Sequence, residues 1–424
     1  MIVNVMPGKI SGNIKAIPSK SHLHRLLILA SLADKETRLN CEHTGAEDIT
    51  ATIDCLTALG AIIKRLDEGF AVTPINRKNL PAKCVLPCLE SGSTLRFMLP
   101  IVCALGIQGE FHMSGRLPKR PIAPLDEELS KHGIRLWRSE EKVLCCEGQL
   151  LPGDFVLPGD VSSQYISGLL MALTQLNEES SLTVTGNIES SDYITMTTDA
   201  MTTFDCSLPL SKGKYIISGD AKLISPRNID VEGDWSNAAF WLCAGSMPGG
   251  DVKLKGLKKN SSQGDREVCA ILEQMGAEVK WKDDILHICE KERRGIEIDA
   301  REVPDLVPVL TAVAAISEGT TIIKNAARLR LKESDRLKAT AQTLNLLGAK
   351  VTEEAEGLKI EGVKTLKGGT VDSFNDHRIA MMAAIASTAC ENPVVITDAQ
   401  AVNKSYPTFW EELSALGINV GIAK

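Results

Sequence analysis

The 424-residue chain contains no run of about 18 uninterrupted apolar residues, so a membrane-spanning helix is not expected. Its start, Met1-Ile2-Val3-Asn4-Val5-Met6-Pro7, lacks the charged and then apolar segments of a secretory signal, and a cytosolic protein is expected. The twelve cysteines and seven histidines are scattered, and no CxxC pattern occurs. Zinc needs such ligands at set spacings, so no metal is expected and the cysteines read as reduced and structural. There is no Walker A loop, no Rossmann fingerprint after a strand and no Gly-x-Ser-x-Gly elbow, which removes the common nucleotide and serine-hydrolase signatures. Basic excess is missing too: the formal charge of -7 argues against a long polyanion as main partner, while leaving room for a local basic pocket. Aromatics make up only 4%, but 44% hydrophobic and 24% charged residues are ordinary for a globular protein of two domains or more.

What the chain does have is an internal period. A helix-like run that ends in glycine and passes into a β-type segment recurs at Gly60, Gly133, Gly276, Gly348 and Gly417, with steps of 73, 143, 72 and 69 residues. The double step hides one unit near Phe204-Asp205-Cys206, where the glycine is absent. Glycine tolerates the left-handed conformation that ends a helix. Asp48 marks the opposite end, as an expected cap of a helix with Ile49, Ile53, Leu56 and Leu59 on one face. A second ladder of polar helix starts, at Ser21, Ser93, Ser163, Ser236, Asp305 and Asp376, has steps of 72, 70, 73, 69 and 71. Each start leads into an almost wholly apolar body, as in residues 26–33, 166–173, 306–315 and 379–386, which reads as a buried helix.

Six units of about 71 residues group naturally as two domains of three. Rotationally related units would point their buried helices the same way, so that six helix N-termini, each with unpaired N–H groups and partial positive charge, face one cleft suited to anions.

Basic residues accompany those starts. Lys20 and Arg25 lie on the first buried helix, where an anion would offset the cost of burying their charge. Arg96 follows Gly92-Ser93-Thr94, where glycine permits close backbone approach, and Arg120 sits in a loop stiffened by Pro121, placed to grip a carboxylate. The densest group is residues 328–336, whose alternation of Leu with Arg and Lys predicts a strand edge entering a helix; His377-Arg378 and Lys404 follow. Glu333 among these cations is expected to be ionised and is a candidate acid or base.

Seven segments in order resemble the 5-enolpyruvylshikimate-3-phosphate synthase family of enolpyruvyl transferases: Pro18-Ser19-Lys20-Ser21 with Arg25, Ser91-Gly92-Ser93-Thr94-Leu95-Arg96, Arg120-Pro121, Ser162-Ser163-Gln164, Lys332-Glu333-Ser334-Asp335-Arg336, Asn375-Asp376-His377-Arg378 and Lys404. The resemblance covers essentially the whole chain. It implies an α/β fold of two domains, each of three βαβαββ units forming an inside-out α/β barrel, with residues 19–229 in one domain and 1–18 plus 230–424 in the other. It implies a site in the interdomain cleft where Lys20, Ser21, Arg25, Ser162, Ser163, Gln164, Ser190, Asp305 and Lys332 hold shikimate 3-phosphate. Phosphoenolpyruvate would be held by Lys20, Gly92, Arg120, Gln164, Arg336, Arg378 and Lys404. Asp305, Glu333 and Lys20 are the implied proton carriers, with no cofactor, no metal, no nucleic-acid or membrane partner, and a monomer expected. Glu90 stands where many members have Asn, so its carboxylate is expected to turn away from the phosphoenolpyruvate pocket, and Arg328 stands where another member has Asn.

Two other readings compete. In the same fold, the transferase that acts on UDP-N-acetylglucosamine usually begins with Lys-Asn and carries a reactive loop cysteine, whereas Ser21 follows Lys20 and no basic loop surrounds Cys84, Cys88 or Cys103. A non-catalytic six-repeat clamp for polyanions is opposed by the acidic total.

Overall fold

The structure is a computed structural model that describes residues 1–42, 45–211, 213–219 and 221–423. His43, one of the dispersed histidines, lies outside the described residues. Contacts divide the chain into two compact units, Lys20–Val231 and Met1–Ser19 with Glu232–Lys424.

The six-fold period becomes six four-stranded sheets. The second repeat shows the pattern: Lys83–Leu89 pairs in parallel with Gln108–Met113, which pairs antiparallel with Val143–Glu147, which in turn carries Arg135–Glu140 at the edge. The buried helix Gly92–Ala104 makes the crossover of the parallel pair, and a second helix, Leu125–Lys131, precedes the hairpin. This is one βαβαββ unit.

Two first strands are exchanged along the chain. Ser11–Lys15 immediately precedes the helix Lys20–Leu32 in sequence, yet it pairs with Asp251–Lys255 in the repeat of the helix Trp235–Ser246. Asn228–Asp230 precedes that helix but pairs with Thr37–Asn40 in the first repeat. The sixth sheet is completed by the chain's first strand, Ile2–Val5, set between Val394–Thr397 and Val420–Ala423.

The six apolar bodies are the inner helices Lys20–Leu32, Gly92–Ala104, Ser163–Leu173, Trp235–Ser246, Val307–Ala314 and His377–Ala386. Every residue of the last three is buried, as helices without a polar face require. Burying each large aliphatic side chain contributes about 1.5–3 kcal/mol, and these bodies dominate the core of each unit. Polar starts are capped by side chains: Ser91, Ser162, Asp234 and Asp376 accept from backbone N–H groups of the first turn. Close packing sets the spacing of two of these helices. Pro100 cannot donate to the Arg96 carbonyl, and Gly168 of the neighbouring helix lies so near that oxygen that a Cβ there would be 2.5 Å from it.

The outer helices end as their glycines predict. Gly60, Gly133, Gly276, Gly348 and Gly417 have φ between 91° and 108°, and at the hidden sixth position Asp205 takes φ 59° in glycine's place. Two local expectations are corrected. Asp48 is not a cap: the helix Glu47–Ala58 starts one residue earlier, Ala46 stands at its cap position, and the Asp48 carboxylate turns to Lys20. Residues Ala327–Leu331 form a 3-10 turn rather than a strand edge, because Leu329 is buried while Arg330 folds onto Asp335 and Glu353.

Candidate active site

Within Lys20–Val231, the starts of three inner helices converge. Arg25, one turn into the first, is 2% exposed and spends four donors on neutral oxygens. Nε donates to Thr197 Oγ1 at 2.6 Å, Nη1 to the Ser21 carbonyl at 2.7 Å, and Nη2 to the Tyr193 carbonyl at 2.9 Å and Ser167 Oγ at 3.4 Å. Its guanidinium lies 5.0 Å from the Phe97 ring centroid. Among the described residues no carboxylate ion-pairs with it, and burial lowers its pKa to about 10. This is a buried cation whose counter-charge the described residues do not supply.

Lys20, at the mouth of the same helix, pairs with Asp48 at 2.6 Å, both side chains partly exposed. Behind it His24 bonds Thr52 Oγ1 at 2.7 Å; burial, then Lys20 and Arg25, hold its imidazole well below the usual range and therefore neutral. From Thr52 the bonds continue to Thr94 Oγ1 at 2.7 Å and on to the capping Ser91 Oγ at 2.8 Å. At the second helix start the Arg120 guanidinium covers Gly92 so closely that an added Cβ would lie 2.7 Å from Nη1. Arg96 donates to Gln164 Oε1 at 2.7 Å, and Gln164 Nε2 donates to Ser93 Oγ at 2.9 Å, which ties the second helix start to the third. Ser162 caps that third helix, Ser163 is buried beside it, and Ser190 sits in a left-handed conformation (φ 55°) opening the helix Ser191–Thr203. The Glu90 carboxylate fills the space over Gly115, 2.1–2.4 Å from where a Cβ would stand.

In the other unit the cations come with their own carboxylates. Asp305 receives Lys332 at 3.4 Å, Arg336 Nη1 at 2.8 Å and Arg378 Nη2 at 3.1 Å. Burial alone would raise its pKa, but Arg378, Lys332 and Arg336 hold it well below the ordinary value. Arg336 also reaches Glu333 at 2.6 Å and the fully buried Asp376 at 2.8 Å. Burial opposes its charge, and Asp376, Glu333 and Asp305 more than offset that. Asp376 in turn accepts from Ser334 Oγ and the Arg378 amide, and despite burial Arg336 keeps it ionised. Burial lowers the Lys332 pKa, with Asp305 opposing. Arg378 draws the three inner helix starts together: Nη2 donates to Ser236 Oγ at 2.7 Å, Nη1 donates to the Asp305 carbonyl at 3.0 Å, and Nε has no partner among the described residues. Lys404 Nζ donates to the Asn375 carbonyl at 2.6 Å.

The residues expected at a site therefore gather in two clusters, one per unit. Lys20, Ser21, Arg25, Gly92, Arg120, Ser162, Ser163, Gln164 and Ser190 fall in the first, and Asp305, Lys332, Glu333, Arg336, Arg378 and Lys404 in the second. Sequence reading passed over Ser167, Thr197, Ser236 and Asp48 as partners of the cations. Hydroxyls within apolar helices give no pattern to find, and Asp48 resembled an ordinary cap. Arg328 donates to the Arg301 carbonyl at 2.8 Å.

A family model described as EPSP synthase (3-phosphoshikimate 1-carboxyvinyltransferase) matches residues 5–413. The chain belongs to the EPSP synthase family. Among relatives named 3-phosphoshikimate 1-carboxyvinyltransferase, one from Clostridium acetobutylicum is 42% identical over 423 residues, covering 99% of this chain and 98% of that one. Another, from Clostridium kluyveri, is 40% identical over 418 residues, with 98% and 97% covered. The EPSP synthase structure from Acinetobacter baumannii matches with a TM-score of 0.81 at 27% identity, over 99% of this chain and 100% of that one. The inside-out α/β architecture of two three-repeat domains is thus the EPSP synthase fold. The enolpyruvyl transferase NikO of Streptomyces tendae shares the fold at a TM-score of 0.77 and 18% identity.

Proposed function

We infer that this chain transfers the enolpyruvyl group of phosphoenolpyruvate to the 5-hydroxyl of shikimate 3-phosphate and releases phosphate. Beyond membership of the EPSP synthase family, the observation that carries this reading is Arg25: a buried guanidinium that pairs with no carboxylate among the described residues calls for an anionic ligand. In this reading Lys20, Ser21, Arg25, Ser162, Ser163, Gln164, Ser190, Asp305 and Lys332 hold shikimate 3-phosphate. Lys20, Gly92, Arg120, Gln164, Arg336, Arg378 and Lys404 hold phosphoenolpyruvate.

The 5-hydroxyl oxygen bonds to the central carbon of phosphoenolpyruvate as the methylene carbon gains a proton, giving a tetrahedral ketal. Loss of phosphate, with return of a methyl proton, restores the enol ether. These steps need a base, an acid and fixed cations, for which Asp305, Glu333 and Lys20 carry the protons while Arg336, Arg378 and Arg120 hold carboxylate and phosphate. Asp305, held ionised by three cations, carries no proton to give while those cations pair with it. The enzyme is expected to act as a cytosolic monomer.

A coupled phosphate assay tests the reading. Phosphate is expected only when shikimate 3-phosphate and phosphoenolpyruvate are both present. Release when UDP-N-acetylglucosamine replaces shikimate 3-phosphate would reassign the acceptor, and no release with either would overturn the transfer itself.

A further inference from the structure

The chain passes from one unit to the other after Ser19 and again before Glu232. Both crossings are fastened by one side chain. Gln263, 4% exposed, lies in the loop after the strand Asp251–Lys255. Its Oε1 accepts from Ser19 Oγ at 3.0 Å and from the Trp235 amide at 3.1 Å. Its Nε2 donates to the Gly233 carbonyl at 2.9 Å, with Ser261 Oγ at 3.2 Å and Glu232 Oε2 at 3.4 Å. The same loop gives Ser261 Oγ to Glu232 at 2.7 Å and the Lys258 carbonyl to Trp235 Nε1 at 3.1 Å. Between the crossings themselves, Ser19 N donates to the Glu232 carbonyl at 2.7 Å and Asp234 N to the Ile17 carbonyl at 2.8 Å. Gly233 is pressed so close that a Cβ would stand 2.3 Å from the Gly256 carbonyl oxygen.

A primary amide is the side-chain group that accepts on one atom and donates on the other without charge. Leucine of similar size would remove the acceptor of the Trp235 amide and the donor to the Gly233 carbonyl, both buried. The helix start does not need Gln263 as its cap, because Asp234 already accepts from Asn237 N at 2.8 Å. What the clasp fixes is position. One residue beyond Ser19 is Lys20, and one residue beyond Trp235 is Ser236, whose hydroxyl holds Arg378.

We propose that Gln263 is a positioning residue for enolpyruvyl transfer, setting the backbone that leads into Lys20 at one crossing and into Ser236, which holds Arg378, at the other. This rests on the transfer reading above. In the full-length Gln263→Leu variant the KM for phosphoenolpyruvate should rise at least fivefold and kcat fall at least tenfold, with a smaller rise in the KM for shikimate 3-phosphate, which Lys20 also holds in the transfer reading. Ser19→Ala, which removes the hydrogen bond to Gln263 Oε1 and carries the test should Gln263→Leu fail to fold, should shift the same constants in the same directions by less. Hydrogen exchange at the Ser19, Asp234 and Trp235 amides should quicken at least tenfold in Gln263→Leu, while the helix Gly92–Ala104 stays unchanged. Activity lost only in proportion to unfolded protein, with both KM values unchanged, would overturn the role of Gln263, as would unchanged exchange. A wild-type chain that releases no phosphate would instead overturn the transfer reading and this role with it.

Discussion

Arg25 and Arg336 are equally inaccessible and held in opposite ways, one by neutral oxygens and one by three carboxylates. Removing them should therefore reveal different debts. Arg336→Met strands Asp376 in the core, and chemical denaturation should show a loss of about 3–5 kcal/mol together with lost turnover. Lys20→Met breaks a partly exposed pair with Asp48, so its stability should change by less than about 1 kcal/mol. Its turnover should nevertheless fall by at least about a hundredfold in the phosphate assay if Lys20 handles substrate and proton. The sequence made the cations legible because charge interrupts otherwise apolar helix starts. It did not reveal their partners, since Thr197 and Ser167 look like any hydroxyl on a helix and Gln263 like any polar loop residue.

The outer helices show how much of an element can be read from one residue type. Glycine announced five helix ends, and the sixth was hidden because Asp205 bears the same left-handed conformation. Gly276 is not free to change: besides φ 108°, a Cβ would lie 2.2 Å from the Glu292 carbonyl oxygen. Gly276→Ala should cost more than the roughly 1–2 kcal/mol of left-handed strain alone. Asp205→Gly should be neutral or stabilising by up to about 1 kcal/mol, since relief of strain offsets the added freedom of the unfolded chain. Thermal denaturation of the two variants checks the contrast. The 3-10 turn Ala327–Leu331 is hidden for a different reason: alternating Leu with Arg and Lys mimics a strand, and the pairs of Arg330 with nearby Asp335 and distant Glu353 decide against it.

For the molecule as a whole, acid is the expected weakness. Asp305 and Asp376 have pKa values below the ordinary one when folded, so the unfolded chain binds more protons than the folded one in that range. Their stabilisation is complete above the ordinary carboxylate value of about 4 and is lost as pH falls through the folded values. Urea denaturation between about pH 6 and pH 3 should show this loss, and Asp376→Asn, less stable at neutral pH, should lose less on acidification. The six-fold architecture was open to counting because repeated spacing survives in sequence. Which sheet a strand joins is settled by distant pairing, so the exchange of Ser11–Lys15 and Asn228–Asp230 leaves no local trace. The placement of Ile2–Val5 between Val394–Thr397 and Val420–Ala423 has a consequence in time. At a synthesis rate of about 5–20 residues per second, Ile2–Val5 leaves the ribosome tens of seconds before Val420–Ala423 arrives. Throughout that wait it is an apolar edge without a neighbour, and chaperone dependence during synthesis should concentrate at the beginning of the chain rather than in the contiguous stretch from 20 to 231.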